Sequence, residues 1–402
     1  MNNSENNHPL RRTRAEVDLD LLSKNIRTLW NRSGCEGYLL LLKANAYGHG
    51  SIACAKMAEE LGVTFGGVAA YQEVRFLRSA GVRLPLLLLE DLFDDEIAPA
   101  FDAGVSFSVS SLAYAEKVAR VAEKAGKVGK IHLNVDTGMG RLGCFPDELM
   151  KVAEYVHHSR WLALEGLFSH FPSSDEGDLT VPTAQIELFS RLDRELEGAG
   201  IRPKWRHFAN SGAVIDFPAA SSFDMIRPGV SSFGIYPSKE VAHDVGLFRV
   251  LSLKSAILSI RTFPKGAKIG YGSTFVTERE SRIAVVPIGY GDGYVRAFSN
   301  NSDVLVHGRR VPVVGRISMD MITVDLTELP ESVGTGDEAV LVGAQAWEDR
   351  SGEIDAEDLA ARIGTISYEV TCLLTARVPR VFFRGGKAVA VQEMSEHFYR
   401  EY

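Results

Sequence analysis

Lysine, arginine, histidine and serine stand at the ends of short apolar runs in this chain, a placement suited to covalent and acid–base chemistry. Lys43 closes YLLLLK, Arg141 closes DTGMGR, His170 follows GLFS, Ser211 follows HFAN and Arg227 follows DMI. A lysine at the end of a buried strand can lose its usual pKa near 10.4 to burial or a neighbouring cation and become a nucleophile. A strand-end lysine that merely reaches solvent is the commoner case, so the other four residues carry weight. Each has a plainer role too. His170 before Phe171-Pro172 reads as a core histidine, Arg227 before Pro228-Gly229 as a turn residue, and Gly138-Met139-Gly140 as a loop. No pair of carboxylates recurs at such run ends, which disfavours glycosidase chemistry. HExxH and Cys/His ligand spacings do not occur, which argues against a catalytic metal.

These side chains need elements to hold them. Strand-like runs fall at 38–42, 65–68, 84–89, 106–109, 130–135, 162–168, 205–209 and 224–226. Helical periodicity lies between them, at 71–80, 94–103, 111–125, 147–157 and 183–197. Such alternation predicts an α/β fold, a parallel (β/α)8 barrel whose active-site residues sit at the carboxyl ends of the strands. An open doubly wound sheet is the competing arrangement, but no GxGxxG follows the first strand. From Val250 the text turns mostly β, with runs at 282–287, 304–306, 311–314, 321–325, 339–342 and 381–383, a hairpin turn at His307-Gly308 and one helix at 356–363. The expected division is a flexible polar N-terminus (1–12), a barrel (13–248) and a β-rich C-terminal domain (249–402).

Composition narrows the partners. A net charge of −8 and a pI near 5.8 argue against nucleic acid or an anionic membrane surface. No signal-peptide core and no membrane-length apolar run appear. The cysteines, Cys35, Cys54, Cys144 and Cys372, lack CxxC spacing and read as free thiols of a cytoplasmic protein. The loops after the seventh and eighth strands, with Ser211 and Gly229-Val230, are where barrels hold phosphate through a hydroxyl and backbone amides. Lysine plus phosphate site points to a phosphorylated aldehyde bound as a Schiff base, pyridoxal 5'-phosphate (PLP).

The chain resembles the alanine racemases, PLP enzymes with a barrel and a β-rich C-terminal domain. The resemblance runs from about Thr13 to Phe383. It rests on LLKANAYGHG (41–50), DTGMGRLG (136–143), GLFSHF (166–171), HFANSGA (207–213), IRPGV (226–230), GYGSTF (270–275), PIGYGDGY (287–294), GRISMD (315–320) and SYEVTC (367–372). It implies that Lys43 holds PLP and is one of two acid/base groups. The other is Tyr271, contributed by the second subunit of a homodimer. Tyr47, Ser211, Gly229, Val230 and Tyr368 would surround the phosphate, Arg227 would face the pyridine nitrogen, and His170 would link Tyr271 to Arg227. Arg141 and the Met319 backbone would hold the substrate carboxylate. Tyr290 and Tyr368 would narrow the entrance, supported by Arg296, Arg316 and Asp320. Two bases suit racemisation, because one group cannot readily serve both faces of a planar carbanion. An arginine opposite the ring nitrogen would weaken the electron sink and limit transamination.

Two departures stand out. Many family members carry a carbamylated lysine where this chain has Asn134, so a chloride or other small anion is expected beside Asn134 and Arg141. Pro172-Ser173-Ser174 also differs from the usual loop. The resemblance implies interconversion of L- and D-alanine for peptidoglycan. The alternatives are a broad-spectrum, serine or lysine racemase, a PLP barrel decarboxylase, and a non-catalytic PLP-binding protein, which is usually a lone barrel.

Overall fold

A computed structural model describes residues 10–393. The chain divides into two compact units. One comprises residues 21–47 and 51–248; the other holds the described residues up to Asp20, the tripeptide Gly48–Gly50, and the described residues from Arg249 onward.

The first unit contains a closed parallel barrel of eight strands: Gly37–Leu41, Phe65–Val68, Leu86–Leu88, Ser106–Val109, Gly129–Asn134, Leu162–Phe168, Trp205–His207 and Met225–Ile226. The last strand closes on the first, with Gly37 opposite Met225 and Tyr38 opposite Ile226. The strands are mostly apolar because parallel strands in a barrel are covered on both faces. Leu39, Phe65, Leu87, Trp205 and Met225 form one interior layer, packed by Leu41 and Leu89. Burying each such side chain is worth about 1.5–3 kcal/mol. The helices between strands carry ordinary signals. Leu112–Ala125 starts where Ser111 accepts from the Tyr114 amide and stops at left-handed Gly126. The eight expected strands all occur, with ends displaced by at most two residues.

The C-terminal unit is mostly β. Its large sheet runs Arg309–Pro312, Asp303–Val306, Glu338–Trp347, Leu251–Ala256, Arg14–Asp18, Arg380–Arg384, Lys387–Gln392, with Arg350–Ile354 paired to Glu338–Trp347. Ser259–Phe263, Ser281–Val286 and Ile322–Asp325 form a three-stranded sheet. The turn at His307-Gly308 has positive φ at both residues (49° and 72°), as a tight two-residue hairpin requires.

The observed division differs from the expected one at the N-terminus. Arg14–Asp18 pairs antiparallel with Leu251–Ala256 and parallel with Arg380–Arg384, so it is an interior strand of the C-terminal sheet rather than part of the barrel domain. Ala15 and Val17 are fully buried there, which explains their alternation. Residues 1–9 of the expected flexible segment lie outside the described residues. Arg11, inside that segment, is anchored instead. Its guanidinium grips the buried carboxylate of Asp292 at 2.6 and 2.9 Å and donates to the carbonyls of Pro287 and Arg377. Among the described residues no helix is long and apolar enough to cross a membrane.

Candidate active site

Lys43 follows the first barrel strand and opens a left-handed turn. Ala44, Asn45, Ala46 and Tyr47 all have φ between 51° and 55°. The expected turn-prone segment is thus a full left-handed run of non-glycine residues, a conformation costing roughly 1–2 kcal/mol per residue. Side chains and backbone over-determine it. Glu73 accepts from the Ala44 amide at 2.7 Å, Asn45 accepts from the Ser51 amide at 2.9 Å, and the Ala46 amide donates to the Leu42 carbonyl at 2.8 Å. The turn swings the Tyr47 ring to 5.9 Å from that of Phe233.

His170 ends the sixth strand's run and marks where the cations converge. Burial first, then the charges of Arg227, Arg141 and Lys43, push its imidazole down to about 3, so it is neutral at pH 7. Its Nδ1 faces Arg227 Nη2 at 3.5 Å and accepts there, which leaves Nε2–H as a donor. Arg227 is 5% exposed and donates to His207 Nδ1 (2.9 Å), the His207 carbonyl (2.6 Å) and the Ser169 carbonyl (2.7 Å). Burial pushes this guanidinium down to about 9, still cationic at neutral pH. Gln185, from helix Thr180–Gly198, ties the site's loops together by donating to Thr137 Oγ1 and the His170 carbonyl, both at 3.3 Å. The Arg141 loop is wound on Asp136, whose carboxylate accepts from the amides of Gly138, Met139 and Gly140. Arg141 itself is exposed, while Asn134 is buried.

The phosphate test is chemical. Ser211 Oγ accepts from the amides of Gly229 (2.9 Å) and Ser231 (3.2 Å), so one hydroxyl joins two chain turns. A Cβ on Gly229 would lie 2.9 Å from the Tyr47 hydroxyl, so a side chain there would have to displace that hydroxyl. Two hydroxyls, adjoining amides and a buried arginine that contacts no carboxylate among the described residues are a donor set that fits a phosphorylated pyridine ring. The unusual Pro172-Ser173-Ser174 loop feeds the same corner. Ser174 donates to Asn210 at 2.6 Å, and Asn210 caps the helix Ser211–Asp216 by accepting from the Ala213 amide.

The structure therefore brings Lys43, Tyr47, Arg141, His170, Ser211, Arg227, Gly229 and Val230 into the barrel unit. Tyr271, Tyr290, Met319 and Tyr368 belong to the C-terminal unit. Tyr271 is 70% exposed, in a turn Tyr271–Ser273 flanked by left-handed Gly270. It borders a hollow of about 390 Å³ that Arg316, Ser318 and Met321 also line. Tyr290 and Met319 lie on one pair of loops, with Gly291 donating to the Met319 carbonyl (2.9 Å) and Tyr290 to that of Ser318 (3.1 Å). Arg377 braces these loops, bonded to Asp320 at 2.8 Å and to Asp292 at 3.5 Å. Arg296 is exposed and shares a neighbouring hollow with Arg316. Tyr368 sits on a short helix, Ser367–Cys372, that the sequence reading did not resolve.

Sequence reasoning missed His132, His207, Gln185, Arg11, Asp292 and Arg377. The only signal for the two histidines was their place within strand runs, KIHLNV and WRHFA, that hold other polar residues as well.

Residues 17–237 match the family described as alanine racemase, N-terminal domain, and residues 250–382 that described as alanine racemase, C-terminal domain. An alanine racemase 2 of Caldanaerobacter subterraneus is 39% identical over 95% of this chain and 98% of its own. The solved alanine racemase of Clostridium difficile superposes with a TM-score of 0.89 at 33% identity, covering 95% of this chain and 98% of that one. One from Bacillus anthracis, solved with bound L-Ala-P, gives 0.87 at 33% identity, covering 96% and 98%. This chain belongs to the alanine racemase family.

Proposed function

We propose that the chain interconverts L- and D-alanine with PLP, and so supplies D-alanine for peptidoglycan. The observation that carries this reading is the gathering of Lys43, Arg141 and Arg227 around His170, in the same barrel unit as the Ser211 cradle. When bound, PLP supplies the carbonyl that captures the amino group and the ring that accepts the Cα electrons. Ser211, Tyr47, Gly229 and Val230 would hold the phosphate, and the resemblance assigns Tyr368 to it as well. Arg227 would face the ring nitrogen, and its fixed charge would disfavour protonation there. Lys43 moves the proton at one face of Cα. The Tyr271 hydroxyl serves the other face from a second copy of the chain, so activity needs a homodimer. The exposure of Tyr271 within its own unit supports that assignment. His170, neutral, offers its Nδ1 to Arg227, which leaves its Nε2–H for the hydroxyl of Tyr271 of the second copy. Arg141 would hold the substrate carboxylate; the resemblance assigns the Met319 backbone to the same carboxylate and Tyr290 and Tyr368 to the entrance.

Asn134 supplies no negative charge to Arg141, and no carboxylate pairs with Arg141 among the described residues. A chloride-sized anion between them meets that need. The same change lies in the carboxylate-holding network, and a broader substrate range is the second reading. Bromide soaking with anomalous diffraction locates the anion; an ordered Arg141 with no anion beside it removes the idea.

The decisive assay incubates the purified protein with L-alanine, L-serine and L-lysine in heavy water, followed by chiral analysis. D-Alanine carrying Cα deuterium is expected. Absence of both D-product and Cα exchange overturns the racemase reading. D-Serine or D-lysine at comparable rates establishes the broader one.

A further inference from the structure

We infer that Glu165 is the remote counter-charge of Arg227, coupled to it through His132 and His207, and that it is a positioning residue for whatever Arg227 binds. The chain of contacts is continuous. Arg227 Nη1 lies 2.9 Å from His207 Nδ1, His207 Nε2 lies 2.8 Å from His132 Nδ1, and His132 Nε2 lies 3.3 Å from Glu165 Oε2. Both histidines are fully buried inside the barrel.

The ends determine every proton between them. A guanidinium can only donate, so His207 Nδ1 accepts and its one N–H is on Nε2. That N–H points at His132 Nδ1, which must accept, placing the His132 proton on Nε2. The carboxylate at the far end can only accept. All bond dipoles therefore run one way, from cation to anion, and polarise one another in a low-dielectric interior. Burial lowers the pKa of both rings, so neither carries a charge that would interrupt the series.

Glu165 is built to stay ionised. Burial alone would raise its pKa, but hydrogen bonds from His132 and Ser106 (the latter at 2.5 Å), with Lys130 at 3.5 Å, hold it below the usual carboxylate range. Arg227, by contrast, touches only neutral acceptors. A buried charge without compensation is costly, and among the described residues Glu165 is the carboxylate to which this hydrogen-bonded chain leads. Gly166, next to Glu165, makes the room: a Cβ there would fall 2.1 Å from His132 Nδ1.

The inference deepens the proposed role of Arg227, yet its main test does not depend on racemase activity. The test is 15N–1H NMR of histidine-labelled protein, comparing wild type with Glu165→Gln and Lys130→Gln. In wild type both rings should be pure Nε2–H tautomers between pH 6 and 9. Glu165→Gln should move the Nε2–H proton of His132 upfield and that of His207 with it, although residue 165 does not bond His207. Lys130→Gln should leave both nearly in place. With PLP and alanine, Glu165→Gln should lower kcat about 10-fold or more with little change in KM, the loss expected for residues that orient a primary ligand. An Nδ1–H tautomer at either ring, or a His207 signal unmoved in Glu165→Gln, overturns the inference. Coupled NMR shifts in a protein that racemises nothing would sink the racemase reading and leave the chain standing.

Discussion

Among the described residues two arginines are buried without a carboxylate in contact, one in each unit, and they are satisfied differently. Arg380 is 2% exposed and donates only to backbone carbonyls: Gly48 at 3.0 Å, Thr375 at 2.5 Å, Val378 at 2.7 Å and Leu374 at 2.6 Å. Arg227 uses two carbonyls as well, but its other acceptors are the ring nitrogens of His207 and His170. Burial lowers both guanidiniums, to about 10 and about 9. Carbonyls cannot titrate or change tautomer, so Arg380 is a fixed staple binding Gly48 and the turn 374–378 to its strand. Imidazoles can do both, so the environment of Arg227 can be adjusted. The same cost of burying a cation is met once by rigid dipoles and once by groups capable of answering to chemistry.

Replacing the staple should have the larger effect on folding. Arg380→Leu removes four hydrogen bonds at once and leaves buried carbonyls without donors, so a loss of about 3–5 kcal/mol is expected. Urea unfolding measures it. A loss below 1 kcal/mol would erase the distinction between the arginines. Arg227→Gln should do the reverse: kcat falls about 10²–10³-fold, as when one preorganised charge donor is removed, while the unfolding midpoint changes less than in Arg380→Leu. Tyr271→Phe offers an independent comparison, since it removes a proposed acid/base group from the other unit. Racemisation should fall about 10²–10⁴-fold while Cα exchange from one enantiomer survives; survival of neither, with PLP still bound, would count against two bases.

Acid should separate the regions next. His132 and His207 have folded pKa values below the unfolded value near 6.5. Below that pH the unfolded chain binds protons that the folded barrel refuses. The stability they contribute is therefore complete above about pH 6.5 and falls as pH drops, by at most about 1.4 kcal/mol per pH unit for each ring. Urea midpoints at pH 5, 6 and 7 measure the slope, and His132→Gln should make it shallower. The Arg380 staple has no titrating acceptor and should add nothing to the slope. The smallest effect belongs to Arg11→Gln. Arg377 still faces Asp292, so about 1 kcal/mol of stability is expected to go, with a raised KM for alanine if the Tyr290 and Met319 loops loosen.

Much of the barrel was readable along the chain. Its strands are mostly apolar and its helices amphipathic, so the alternation survives in one dimension, and the strand ends mark Lys43, His170, Ser211 and Arg227. The N-terminal strand was readable as a strand but not as a member of the C-terminal sheet. Its alternation reports one buried face and says nothing about which strands lie beside it. The helix carrying Tyr368 was missed because six residues are too few for helical periodicity to show. Arg11 was missed because a polar terminal stretch looks the same whether it is solvated or paired with a carboxylate 281 positions away.

The sequence by itself determined what depends on neighbours in the chain: strand and helix periods, the Ser111 and Asn210 caps, the Asp136 loop that presents Arg141, and the family motifs. Only the tertiary structure decided which buried polar groups meet. His132 and His207 are 75 positions apart, and each alone reads as a core histidine. Their tautomers follow from a guanidinium at one end and a carboxylate at the other, three different barrel strands and the loop after a fourth supplying the members. Hydrogen-bond direction is a property of the closed barrel, because no segment of the chain contains both ends of the line.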